Sequence, residues 1–149
     1  MTFHVVPSKE WFEGVLKTLS RFFKFVSVQD IDAYYRTIAD QKHRALAGLS
    51  LGGMLTNQVG MKNIDIFSYF GLFSGGIVSP DSINNKEKVK LVFMSYGSRE
   101  GASNRLKNAA DTLNEAGIKS VSYISPDTAH DWITWRRSFY QFAPLIFKD

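Results

Sequence analysis

The stretch RALAGLSLGG, residues 44–53, is an apolar run that stops at a serine held between glycines. Residues 45–49 read as a short buried strand, and LGGMLTNQVGM, residues 51–61, follows directly as a predicted helix. Ser50 therefore stands in a Gly-X-Ser-X-Gly pattern between a strand and a helix. This is the setting in which a strained turn exposes a nucleophilic serine hydroxyl.

Three glycines around Ser50 are expected to make this turn possible. A Cβ at Gly48 or Gly52 should clash with neighbouring backbone, and Gly53 should let the new helix lie close to the sheet. The N-terminus of that helix directs free N–H groups and a positive dipole end at developing charge. The alternative interpretation is a glycine-rich turn that contains an incidental serine.

The rest of the chain alternates predicted strands and helices. Residues 68–75, 89–97 and 120–126 are predicted strands, and the first two are nearly continuous apolar runs, as in strands that are covered on both faces. Predicted helices cover residues 8–25, 30–39, 102–117 and 131–147. This alternation predicts the α/β class, with a mainly parallel sheet and covering helices.

The bulk composition excludes several functional classes. A chain of 149 residues with 44% hydrophobic and 21% charged residues is typical of one folded domain. The net charge of +4 is dispersed without a basic, aromatic-rich stripe, so no nucleic-acid partner is expected, and no run approaches a membrane span. Without cysteine, disulfides and thiolate chemistry are excluded, and cysteine usage leaves the compartment open. No signal peptide is recognisable at the N-terminus, which does not decide the compartment either.

A serine nucleophile needs a base, and His130 is the candidate because it follows the last predicted strand. His4, near the chain end, and His43, in a polar turn, are expected to be solvated. The acid should lie after the preceding strand, where YGSREG offers Glu100. Asp127 is the second candidate for the acid.

Two further aspartates are given other expectations. Asp131 is the direct neighbour of His130 and is too close in the chain to orient it. Asp81, in the SPDS segment, is expected to form a turn.

Several of these segments together resemble one protein family. RALAGLSLGG, the FSG strand end, VFMSYGSRE and AHDWITWRRSFYQFAPLIF look like the C-terminal half of bacterial feruloyl and acetyl-xylan esterases, and DIDAYYRTIADQKHRALAG resembles the segment that leads into their serine turn. These enzymes belong to the esterase D-like branch of the α/β-hydrolases. The resemblance covers about residues 28–149.

The resemblance implies a serine esterase that needs no cofactor or metal. Ser50 would be the nucleophile, His130 the base and Glu100 the acid of a catalytic triad, and the backbone N–H of Leu51 would stabilise the oxyanion. Trp132 is a candidate substrate-binding residue near the acyl pocket, and core packing is an equally good interpretation of Trp135. The implied substrates are feruloyl or acetyl esters of plant cell-wall polysaccharide, and the implied location is extracellular.

The chain departs from the family pattern before the serine, where only 49 residues precede Ser50. The expectation is one truncated α/β-hydrolase domain over residues 1–149, with its N-terminal strands missing and residues 1–27 forming a divergent helical segment. The strand before Ser50 would then be an apolar sheet edge that favours a homo-oligomer.

Truncation would also remove the family's second oxyanion donor, which typically costs about 100- to 1,000-fold in rate. A catalytically weak or inactive homologue that acts as an assembly or binding module is therefore the alternative. A lipid-surface protein with a basic amphipathic N-terminus is a third interpretation.

Overall fold

The structure is a computed structural model that describes residues 28–148. The chain divides into two compact units, Met1–Ile38 and Ala39–Asp149. In the first unit, helix α1 spans Val28–Tyr34. The prediction of a helix over residues 30–39 was therefore wrong about where the helix ends. The chain leaves helical geometry earlier, in a run of aromatic and β-branched residues of low helix propensity. The helix predicted for residues 8–25, and His4, lie outside the described residues.

The second unit contains a sheet of four parallel strands in the order β1-β2-β3-β4. Their bounds are Ala45–Leu49 for β1, Tyr69–Phe73 for β2, Leu91–Gly97 for β3 and Ser120–Ser125 for β4. Every residue of β2 and β3 is buried, which confirms that these continuous apolar runs are strands covered on both faces. Within residues 28–148, β1 is paired on one side only.

Three helices connect or follow the strands. Helix α2 spans Leu51–Leu55 and continues into a π-helical turn over Thr56–Gly60. Helix α3 spans Ser103–Glu115, and Gly117 with φ +81° follows its end, as the sequence predicts. Helix α4 spans Trp132–Phe142 and is followed by a 3-10 turn over Ala143–Leu145. None of the helices in the described part of the chain is both long and apolar enough to cross a bilayer.

The two faces of the sheet carry two separate cores. On one face, Phe70 and Leu72 of β2 and Val92 and Met94 of β3 pack with α3, which contributes Leu106, Ala110 and Leu113. On the other face, Tyr69, Phe73, Leu91 and Phe93 pack against Phe142 of α4. Successive strand residues point to opposite faces, so each central strand supplies both cores. Helices on both faces of a parallel sheet establish the α/β class.

The parallel order also brings the carboxyl ends of all four strands to one edge. In sheets of this kind, ligands bind outside the carboxyl ends of the strands. The segments that follow β1, β2, β3 and β4 begin at Ser50, Ser74, Ser98 and Pro126. The candidate site therefore lies where these four segments meet.

Candidate active site

Ser50 occupies the strained junction between β1 and α2. Its backbone has φ +52° and ψ −119°, a conformation that costs a residue with a side chain about 1–3 kcal/mol. The Ser50 N–H donates a hydrogen bond of 2.8 Å to the carbonyl of Phe73, the last residue of β2. The turn predicted from Gly-X-Ser-X-Gly is therefore present, and it holds Ser50 at the carboxyl end of the sheet.

The glycines of the turn do not all have the predicted role. A Cβ on Gly48 would lie 2.3 Å from backbone atoms of Gly52, which confirms the clash expected there. A Cβ on Gly53 would lie 2.7 Å from Cα of Gly75, which confirms that Gly53 lets the helix lie close to the end of a strand. The prediction for Gly52 was wrong, because a Cβ there meets nothing within 4 Å. Gly48 must lack a side chain because the backbone of Gly52 lies against it, whereas the side-chain position of Gly52 faces open space.

His130 lies between Ser50 and Glu100. Its Nε2 is 2.8 Å from Oγ of Ser50, and its Nδ1 is 2.8 Å from Oε2 of Glu100. An ionised carboxylate can only accept hydrogen bonds, so Nδ1–H of a neutral imidazole donates to Glu100. Nε2 is then free to accept the hydroxyl proton of Ser50, which is the tautomer that a general base requires.

Glu100 is held by three donors. Besides the contact between Oε2 and His130, Oε1 accepts from the backbone N–H of Gly97 at 2.8 Å and from the hydroxyl of Ser74 at 2.7 Å. The side chain of Glu100 is 11% exposed, whereas that of His130 is 48% exposed. The carboxylate is therefore fixed and largely shielded, while the imidazole stays open to a ligand or to water.

The loop that carries His130 is fixed on both sides of the residue. Asp131 caps α4, with Oδ1 accepting from the N–H groups of Ile133 and Thr134 at 2.9 Å. The Thr134 hydroxyl lies 2.5 Å from the carbonyl of Ala129. The N–H of Thr134, together with those of Ala129 and Ile133, holds the pKa of the Asp131 carboxyl below its usual value.

Gly97 lets this loop approach β3. A Cβ on Gly97 would lie 2.5 Å from the carbonyl oxygen of Thr128 and 2.7 Å from that of Ala129. The loop could not come as close to a residue with a side chain. Gly97 thereby contributes twice to the site, through this approach and through its N–H on Glu100.

The other candidates from the sequence take different positions. Asp127 is exposed at φ +56°, and its backbone N–H donates to the Ser98 hydroxyl at 2.9 Å. Glu100 and not Asp127 contacts Nδ1 of His130. Asp81 lies in a 3-10 turn capped by Ser79, as predicted, and His43 pairs with Asp40 at 2.7 Å. The hydrogen bond from His43 lowers the pKa of Asp40.

Two tryptophans of α4 form a series of ring contacts that begins at His130. The ring of Trp135 meets that of His130 edge to face, with centroids 5.1 Å apart, and Trp132 meets Trp135 in the same way at 5.2 Å. Trp135 is partly buried, whereas Trp132 is 72% exposed. Trp132 therefore offers an exposed aromatic ring that is connected to the imidazole through Trp135.

Ser74 is the site residue that sequence reasoning missed. It follows β2 directly, is buried, and donates to Glu100 while its oxygen accepts from Nε1–H of Trp135 at 3.1 Å. The signal in the sequence was a serine placed directly after an apolar strand and before two glycines. That position is equivalent to the position of Ser50 after the neighbouring strand β1.

Leu51 is the first residue of α2, at the helix end where backbone N–H groups have no acceptor within the helix. An anion next to Ser50 would meet this end of the helix dipole.

Among residues 28–148, no group of three or more histidine or acidic side chains is arranged to hold a metal ion.

The chain is similar to known esterases. An endo-1,4-beta-xylanase/feruloyl esterase of Xylanibacter ruminicola is 36% identical over 121 residues, which are 81% of this chain and 16% of that protein. A ferulic acid esterase of solved structure has a TM-score of 0.60 and 23% identity over 76% of this chain and 55% of its own. The CE1 ferulic acid esterase of Anaeromyces mucronatus, solved with ferulic acid, has a TM-score of 0.67 and 18% identity over 96% of this chain and 59% of its own.

The chain thus spans 16% of the length of this curated relative and between half and three fifths of these two solved structures. No protein-family model matches it. The sequence similarity is to the curated relative, and the similarity to the solved structures establishes the fold. In sequence the chain is related to part of an endo-1,4-beta-xylanase/feruloyl esterase, and its fold is part of the α/β-hydrolase fold seen in the feruloyl esterases.

Proposed function

We propose that the chain is a serine carboxylic-ester hydrolase in which Ser50, His130 and Glu100 form the catalytic triad. The observation that carries this proposal is the unbroken hydrogen-bonded series from Ser50 Oγ through His130 to Glu100, with 2.8 Å at each step. A nucleophile, a base within reach of it and an acceptor that orients the base are the three parts of such a mechanism. They come from three separate loops at one edge of the sheet.

In the first half of the reaction, Ser50 Oγ attacks the ester carbonyl carbon while Nε2 of His130 takes the hydroxyl proton. The negative oxygen of the tetrahedral intermediate is stabilised by the N–H of Leu51 at the start of α2. His130 then gives the proton to the departing alcohol, the bond from carbon to the alcohol oxygen breaks, and an acyl-Ser50 ester remains. Glu100 keeps the imidazole in its tautomer and stabilises the imidazolium.

In the second half, a water molecule reaches His130 through its exposed side. His130 takes a proton from this water, the resulting oxygen attacks the acyl carbon, and the proton passes to Ser50 as the carboxylic acid leaves. One ester and one water thus give one acid and one alcohol, and no cofactor is needed for this balance.

The proposed substrates are acyl esters, feruloyl or acetyl, of plant cell-wall polysaccharide. Support for this class comes from the curated relative, whose name joins a xylanase to a feruloyl esterase. The exposed ring of Trp132, which packs against Trp135, is suited to an aromatic acyl group such as feruloyl.

The decisive experiment combines hydrolysis with covalent labelling of the full chain. Hydrolysis of p-nitrophenyl acetate and of methyl ferulate is measured for the wild type, Ser50→Ala, His130→Ala and the matched control Ser82→Ala. Ser82 is an exposed serine in a 3-10 turn and donates only to the carbonyl of Ser79 among its described contacts. A fluorophosphonate probe and peptide mass mapping then identify the labelled serine.

We expect hydrolysis and labelling at Ser50 in the wild type and in Ser82→Ala. Ser50→Ala and His130→Ala should lose about 1,000-fold or more in kcat, because each removes a part on which the others depend. Equal rates in the wild type and Ser50→Ala, together with no label on Ser50, would overturn the proposal in favour of a non-catalytic module.

A further inference from the structure

Ser74 has a position that the three-residue mechanism does not use. It is buried directly after β2 and has φ +50°, a backbone conformation that glycine adopts without strain. The next two residues are glycines, so this turn already uses glycine at its neighbouring positions. The side chain of Ser74 therefore has to supply something that a glycine at this position would not.

The hydroxyl of Ser74 joins two groups whose hydrogen-bonding roles are fixed. Its Oγ is 3.1 Å from Nε1 of Trp135 and 2.7 Å from Oε1 of Glu100. An indole N–H can only donate and an ionised carboxylate can only accept. The direction of both bonds follows, since Ser74 must accept from Trp135 and donate to Glu100.

Trp135 contacts the triad at a second point. Its ring lies edge to face against His130 at 5.1 Å, with an interplanar angle of 90°. The same side chain that fixes the Ser74 hydroxyl thus also limits the orientation of the imidazole. Oε2 of Glu100 therefore contacts His130 directly, and Oε1 is connected to His130 through Ser74 and Trp135.

We infer that Ser74 is a positioning residue for the triad, fixed by Trp135 and acting through Glu100. Its donated hydrogen bond keeps the carboxylate oriented, so that Oε2 stays opposite Nδ1 of His130 as charge develops on the imidazole. This inference rests on the proposed esterase function and names the residues that keep its acid in place. Ser74 itself need not touch the substrate.

The test measures kcat and KM for p-nitrophenyl acetate in Ser74→Ala, Ser74→Gly and Trp135→Phe. Ser74→Gly removes the hydroxyl while it relieves the positive φ, so a loss in this variant does not arise from backbone strain. Trp135→Phe keeps an aromatic ring on the side of His130 and removes the indole N–H together with one of the two fused rings. The matched control is Ser120→Ala, a buried serine whose hydroxyl donates to the carbonyl of Val92.

Both Ser74 variants should lose about 10- to 100-fold in kcat, the rate equivalent of one hydrogen bond to a charged group, with KM within about twofold. Trp135→Phe should lose less, in the same direction, and Ser120→Ala should keep its kcat. In a Glu100→Ala background, Ser74→Ala should cause no further loss, because the carboxylate through which it acts is gone.

If the wild type is active and kcat is unchanged in Ser74→Ala and Ser74→Gly, the positioning role is overturned, while the proposed esterase function stands. The positioning role would also be overturned if the fold-losses in kcat of Ser74→Ala and Glu100→Ala multiplied in full in the double variant, because Ser74 would then act independently of the acid. A wild type without hydrolysis dependent on Ser50 would overturn the proposed function, and this inference with it.

Discussion

Gly53 and Gly75 lie in direct backbone contact, one on the first turn of α2 and the other in the turn after β2. A Cβ on Gly53 would lie 2.7 Å from Cα of Gly75, and a Cβ on Gly75 would lie 2.3 Å from Cα of Gly53. This contact holds the helix that follows Ser50 against the strand end that carries Ser74. The geometry of the serine turn therefore depends on two glycines that are distant in sequence.

We expect Gly53→Ala to destabilise the fold. The added methyl group meets backbone, which cannot rotate away, and overpacking of this kind typically costs about 1–3 kcal/mol or more. Urea denaturation followed by circular dichroism measures the free energy of unfolding. The control is Gly52→Ala, one residue earlier and in open space, which should be neutral or slightly stabilising in the helix. Equal effects of the two substitutions would contradict the close contact.

Glu100→Gln should lower kcat by roughly 1,000- to 10,000-fold while the fold is retained, by analogy with amide replacement of a triad acid. The amide can donate to Nδ1 of His130 at the place where the carboxylate accepts, which favours the tautomer with a proton on Nε2. That tautomer cannot accept the proton of Ser50. Steady-state kinetics on p-nitrophenyl acetate measures the loss.

The control for Glu100→Gln is Asp127→Asn, the other candidate acid, which carries the same change of charge. It should keep nearly the wild-type rate, because His130 contacts Glu100. A larger loss in Asp127→Asn than in Glu100→Gln would show that the acid has been assigned to the wrong residue.

Trp132→Ala should discriminate between acyl groups. If the exposed indole stacks on an aromatic acyl group, its removal should raise KM for methyl ferulate by roughly 3- to 10-fold and leave KM for p-nitrophenyl acetate little changed. Trp132→Phe should recover much of the loss. Tyr140→Ala, an exposed aromatic residue two turns further along α4, is the control and should not alter this ratio. Equal changes of KM for both esters would rule out a role of Trp132 in acyl selection.

Acidification should weaken the loop that carries His130, because the pKa of Asp131 is lower in the folded chain than in the unfolded chain. For a carboxyl with a depressed folded pKa, the stabilisation is present above its unfolded value of about 4 and is lost as the pH falls through the folded pKa. Asp131→Asn keeps a cap without a titrating group, so its melting temperature should fall less steeply below about pH 4.

Melting temperatures of the wild type, Asp131→Asn and the control Asp127→Asn at several pH values test this prediction. A curve for Asp131→Asn that runs parallel to that of the wild type across the acid range would refute the role of the Asp131 charge in capping α4.

Much of the site could be predicted because its residues lie in the segments that follow recognisable strands. The apolar runs that end before Ser50 and Glu100, and the strand that precedes His130, place all three side chains at one edge of a parallel sheet. The alternation of strands and helices, the glycine pattern around Ser50 and the stop at Gly117 are local properties of the sequence. Local conformational preference and hydrophobic burial are sufficient to specify them.

The remaining features are decided by contacts between distant segments. Glu100 rather than Asp127 reaches His130 because the register of β3 and β4 and the loop over Gly97 set which carboxylate faces Nδ1. The open space at Gly52 and the contact of Gly53 with Gly75 depend on how α2 packs against the end of β2.

The hydrogen bonds from Trp135 to Ser74 and from Ser74 to Glu100 join residues 61 and 26 positions apart. A one-dimensional pattern indicates which side chains stand at strand ends, but hydrogen bonds act over about 3 Å. Only the packed sheet brings these particular atoms within that distance.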